Sequence, residues 1–101
     1  MQVIEYLMEH IDEELHDAHG YAEKALSCKD RNPSLSDALH HMAQQELQHA
    51  GTLQAHLKSA ISRHESEHGA LPEMTVALLD WERHKAIEKE TAVRKILDMY
   101  K

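Results

Sequence analysis

The stretch Gln45-Glu46-Leu47-Gln48-His49-Ala50 lies inside the longest proline-free run of the chain, between Pro33 and Pro72. Around it Leu35, Leu39, Met42, Leu53, His56 and Ala60 recur in steps of three and four, the spacing of one helix face. Glu46 and His49 stand on that face as interruptions of an apolar seam. The N-terminal segment repeats the pattern as Ile4, Leu7, Ile11, Glu14, Ala18, Tyr21 and Ala25, and here Glu14 is the interruption. The C-terminal segment is less regular: Leu71, Met74, Leu78 or Leu79, Trp81 or Glu82, Ala86, Val93, Ile96 or Leu97, and Tyr100.

Turn residues divide these segments. Lys29-Asp30-Arg31-Asn32-Pro33 is the one stretch rich in them. Two starts compete for the second helix: Ser34 with Asp37 resembles a capping box, and Asn32 followed by Pro33 is an alternative cap. Gly69 is a helix stop, and Pro72 with Glu73 suits the first turn of a third helix. Periodicity and punctuation together predict one domain over 1–101, with helices over about 2–28, 34–68 and 72–100. The second of these is about 50 Å long. Three such helices close too little core by themselves, so the chain is expected to oligomerise.

Composition supports the all-α reading and excludes several classes. The chain holds three Gly, two Pro, no Phe, one Trp and three Tyr, too little for a β-sandwich. At 42% hydrophobic it is not a disordered tail, and it lacks the long apolar run of a membrane span. Eleven basic against eighteen acidic side chains leave a net charge of −7, which argues against nucleic acid as a partner. Protonating the ten histidines would carry that charge to +3, so solubility and assembly should change between about pH 7 and pH 5. The single cysteine, Cys28, excludes an intrachain disulfide and a thiolate zinc cluster. The acidic N-terminus does not read as a signal peptide, and a cytoplasmic location is expected.

The three interruptions share a level. An antiparallel hairpin turning near residue 31 pairs residues whose numbers add to about 62. Glu14 then faces residue 48, between Glu46 and His49. A buried carboxylate costs several kcal/mol unless it is paired, protonated or bound to a metal. Glu-x-x-His puts both groups on one helix face, and a Glu from the next helix gives three ligands. That is half of a dinuclear carboxylate site, which a two-fold dimer would complete with both metals. Oxygen and imidazole ligands favour iron, with manganese as the other candidate.

At these residues the chain resembles a family. Asp12-Glu13-Glu14-Leu15-His16-Asp17-Ala18-His19-Gly20-Tyr21 is similar to the first metal-binding helix of the ferritin-like superfamily, a Glu with a Tyr seven residues later. Glu46-Leu47-Gln48-His49-Ala50 is similar to its Glu-x-x-His-Ala signature. The likeness covers about residues 5–60. It is greatest to rubrerythrin-like and encapsulated-ferritin-like proteins; in the latter a short chain carries half a four-helix bundle and builds its site between subunits. The resemblance implies a ferritin-like all-α fold, three helices per chain and a four-helix bundle completed by dimerisation. It implies Glu14, Glu46 and His49 as iron ligands and catalytic residues, Tyr21 as a hydrogen-bonding group behind them, and two irons per dimer. The implied activity is oxidation of ferrous iron by dioxygen. The chain has no fourth helix to carry a second Glu-x-x-His, and no tail for docking into a nanocompartment shell is visible.

Other residues have plainer readings. Glu82 falls about 15 Å from the site level and is expected to pair locally, and Glu90 lies at a better height. His56 reads as a core or dimer-interface histidine. His10, His16, His19, His40, His41, His64, His68 and His84 read mostly as solvated faces. Met8, Met42 and Met74 read as core fillers. Trp81 and Tyr100 read as contacts of helix three or of an oligomer interface. Two other functions fit the same residues: a non-catalytic helical interaction module whose Glu/His network fixes register, and a haemerythrin-like oxygen carrier using His10, Glu14, His64 and His68.

Overall fold

The computed structural model describes residues 2–100. Three helices follow in order: α1 over Gln2–Cys28, α2 over Pro33–His68 and α3 over Glu73–Met99. α2 begins where Asn32 caps it. The Asn32 Oδ1 accepts from the Leu35 N–H at 3.2 Å, and Pro33 takes the first helical position. The Ser34 start is therefore the one not used. α2 ends at Gly69, whose φ of 82° suits glycine and whose N–H donates to the Glu65 carbonyl at 2.9 Å.

The molecule is a rod of 55 × 18 × 17 Å. Its radius of gyration is 16.2 Å, against about 13 Å for a compact chain of this length. α1 packs along α2 as an antiparallel hairpin and also supports α3, while α3 barely touches α2. The hairpin core is lined by small side chains: Ala18 and Ala22 of α1 and Ala43 and Ala50 of α2, closed by Ile11, Leu15, Leu47 and Val93. A second cluster of Ile4, Met8 and Leu71 closes the end where α2 turns into α3. Among the described residues no helix is long and apolar enough to cross a membrane.

The buried faces differ from the seams in one respect. In α2 the buried residues are Ser36, Ala43, Leu47 and Ala50, so the face against α1 lies one residue beyond the apolar seam. Leu35 and Met42, on that seam, are exposed. In α1, Leu15 and Ala22 are buried where Glu14 and Tyr21 were expected, and those two are half-buried on the flank. Close approach explains the shift. Alanines and a serine take the inner positions of α2 beside Leu47, and Leu35 and Met42 are left on the exposed edge. Met8 fills the core as expected. Met42 and Met74 do not, being 38% and 87% exposed.

Polar contacts fasten α3. The Lys89 ammonium donates to the Asp12 carboxylate and holds its carboxyl below the usual range. At the other end Tyr100 closes over the hairpin turn. Its hydroxyl donates to Asp37 and meets the fully buried Ser36 hydroxyl at 3.0 Å, which itself donates to the Ala25 carbonyl at 2.5 Å. The Tyr100 ring stacks on His40 at 4.1 Å between centroids. His40 is thus half-buried rather than on a solvated face.

Leu15 is fully buried at the centre of this thin core. Leu15→Ala should lower stability by about 2–5 kcal/mol, enough to unfold much of an isolated chain. Urea denaturation followed by circular dichroism measures it.

Candidate metal centre

The register of the α1–α2 hairpin brings three metal-type groups together. Glu14 of α1 and Glu46 and His49 of α2 offer ligand atoms that all lie within 4.8 Å of one another. His49 Nδ1 lies 3.1 Å from Glu46 Oε1, and Glu14 Oε2 lies 3.4 Å from the same nitrogen. The glutamate side chains keep only 23% and 18% of their exposure, whereas the imidazole keeps 61%. The cluster therefore has two shielded carboxylates beneath an open imidazole.

Helix geometry fixes which way it opens. Asp12 and Glu14 are two residues apart, about 200° around α1. Asp12 is bound to Lys89 of α3, so Glu14 points to the flank away from α3. Glu46 lies next to the buried Leu47 on the edge of the α1–α2 contact, and His49 is one turn further on. The hairpin wall thus holds both carboxylates and leaves one side of the cluster free.

The electrostatics are unbalanced. Glu14 Oε2 is buried and makes no hydrogen bond among the described residues. The Glu46 carboxyl is raised above the ordinary 4.5. The first cause is the hydrogen bond that Glu14 makes to its protonated form. Burial and the Glu14 charge act in the same direction, and His49 opposes them. Two carboxylates at this distance resist joint ionisation, and a shared proton or a cation relieves them. The orphaned oxygen, the second carboxylate and the imidazole suit a metal that takes mixed oxygen and nitrogen ligands. Three donors fill half of a six-coordinate shell.

The other candidate residues lie elsewhere. Tyr21 is half-buried against the core, and its hydroxyl has no hydrogen-bond partner among the described residues. Glu82 pairs with Lys85 at 3.5 Å and Glu90 with Arg94 at 3.7 Å. Both glutamates line a groove with Asp12, on the opposite side of α1 from Glu14. His56 is exposed in a groove of about 660 Å³ with Val3 and Tyr6, so it is not a core histidine. His64 and His68 lie at the C-terminal end of α2. Residue 64 is fifteen residues from His49, about 22 Å along the helix, so this pair does not join the cluster. Sequence reasoning passed over Ser36. Its signal was the seven-residue spacing of Ser36, Ala43 and Ala50, a small-residue stripe that hydropathy does not mark.

No protein-family profile matches the chain, and neither a curated protein nor a solved structure matches it.

The raised Glu46 carboxyl has a defined effect on stability. Between 4.5 and its folded value the native state binds more protons than the unfolded state. Stability of the metal-free chain should therefore fall as pH rises through that window and then level off. Glu46→Gln should remove this fall and leave the variant more stable than the native chain at pH 7. Urea titrations in a chelator from pH 4.5 to 8 measure both.

Proposed function

We propose that Glu14, Glu46 and His49 are one half of a dinuclear iron site, that a second copy of the chain supplies the other half, and that the site oxidises ferrous iron with dioxygen. The observation that carries this reading is the convergence of two carboxylates and one imidazole from two helices, with ligand atoms all within 4.8 Å of one another. The spacing of the motifs, like that of ferritin-like half-bundle chains, supports the same reading.

Charge arithmetic favours the dimer. Two copies bring four glutamates to a two-fold axis, and their four negative charges match two ferrous ions. The flank that carries the cluster also carries apolar side chains with nothing over them. Val3 precedes Glu14 by three helical turns, and Leu35 precedes Glu46 by the same interval. Met42 is one turn before Glu46, and Tyr6 borders the adjoining groove. All four are exposed in the single chain. Docking this flank on its own copy buries them and completes a four-helix bundle.

The chemistry follows from the ligands. Ferrous iron is the substrate, and the carboxylates and imidazoles hold two ions side by side. Each ion gives up one electron, and one dioxygen takes both electrons with two protons and leaves as hydrogen peroxide. Carboxylates suit this because they favour the higher charge of the ferric product. Manganese fits the same ligands. The single free Cys28 suits a reducing cytoplasm.

Two measurements test the reading. Anaerobic ferrous titration should saturate at two ions per dimer, and admitting oxygen should consume one dioxygen for two ions. Glu46→Ala should abolish both, while Glu82→Ala, on the other side of α1, should leave both nearly intact. The reverse pattern would sink the proposed site.

Assembly is the second test. Sedimentation should show an even-numbered oligomer, and Met42→Glu should shift it toward monomer. A stable monomer that still binds two irons would contradict the shared site.

A further inference from the structure

The C-terminal end of α2 holds a second pair of metal-type side chains that the carboxylate cluster does not use. Among the ten histidines only His64 and His68 are spaced by four, so one helical turn stacks them on one face. Their ring centroids are 5.0 Å apart, with the planes inclined by 46°. His64 is half-buried beside a hollow of about 250 Å³ whose walls include Val3 and Ile4 of α1, which limits where its ring can go. Glu67 Oε2 lies 3.8 Å from His68 Nε2. The helix stops one residue later at Gly69, so the free carbonyls of the last turn add negative potential.

We infer that His64 and His68 form a two-imidazole clamp for a zinc-type divalent cation, separate from the Glu14–Glu46–His49 cluster. Imidazole pairs suit zinc, nickel and copper better than the carboxylate-preferring metals. A cation held at about 2.1 Å by each ring needs donor nitrogens no more than about 4.2 Å apart. Rings already 5.0 Å apart between centres reach that by side-chain torsion, with the helix backbone unmoved. Water fills the remaining positions, with the Glu67 carboxylate beside His68 adding negative charge. The separation from His49, about 22 Å along α2, means that the two sites cannot share an ion.

The clamp has a structural consequence. It spans one turn, so it binds only when the last turns of α2 are helical, and binding holds them so. Those turns lead directly into the corner at Gly69 and to Leu71, which is buried with Ile4 and Met8. A cation there fastens the corner from which α3 departs.

The test uses zinc on the full chain carrying Glu46→Gln, so that the carboxylate cluster contributes little. Calorimetric titration should show one zinc per chain, and hydrogen exchange should show slower exchange in residues 60–68 when zinc is added. Adding His64→Gln and His68→Gln should weaken zinc binding at least tenfold and remove the added protection. Both substitutions lie at the end of a surface helix, and unchanged helical circular dichroism confirms the fold. Zinc binding of equal strength without these two histidines overturns the clamp. So does zinc binding that is present in the native chain and lost with Glu46→Gln alone. Loss of ferrous binding in the native chain would instead count against the carboxylate site and leave this result standing.

Discussion

Everything in this molecule depends on how closely α1 and α2 approach. The contact is lined by Ala18, Ala22, Ala43 and Ala50, with Ser36 at one end tied to the Ala25 carbonyl. Small side chains let the helices pack over a long length with little apolar volume. Ser36, bonded to the Ala25 carbonyl, ties the register at the turn end. That register carries Glu14 to the level of Glu46 and His49. A hairpin held by large interdigitating side chains would have put the same groups farther apart.

The close contact has a cost that the site makes visible. Two shielded carboxylates are brought within reach of each other, and the buried Glu14 Oε2 has only the long 3.4 Å approach of His49. The metal-free chain relieves the strain by keeping a proton on Glu46 more tightly than an ordinary glutamate does. A cation would relieve it further, and the imidazole of His49 stands open above the pair. On the proposed reading, the repulsion that raises the Glu46 carboxyl is what a bound cation would offset.

α3 serves a different end. It is held to α1 by Val93, by the Asp12–Lys89 ion pair and by the Tyr100 clasp over the hairpin turn. It covers one flank of the hairpin and leaves the other open. The open flank carries both the cluster and an unpartnered apolar stripe. A rod 55 Å long and 18 Å wide has too little interior to hide these residues. The polar cluster and the exposed stripe therefore share one face.

Much of this was legible in the residues. Asn32-Pro33 and Gly69 delimit α2 because capping and left-handed geometry are local properties. Glu14, Glu46 and His49 stood out because titratable groups on apolar seams are expensive wherever the chain folds. Their common level followed from counting along a hairpin, since the rise per residue is constant. The tertiary structure decided what counting could not. It chose alanines and Ser36 over Leu35 and Met42 for the inner contact, because distance of approach depends on side-chain size and not on hydropathy. It put His56 and Met74 outside and His40 beneath Tyr100, because α3 packs on one flank and its C-terminus closes on the turn. Periodicity tells which residues share a face; only packing in three dimensions tells which neighbour that face meets.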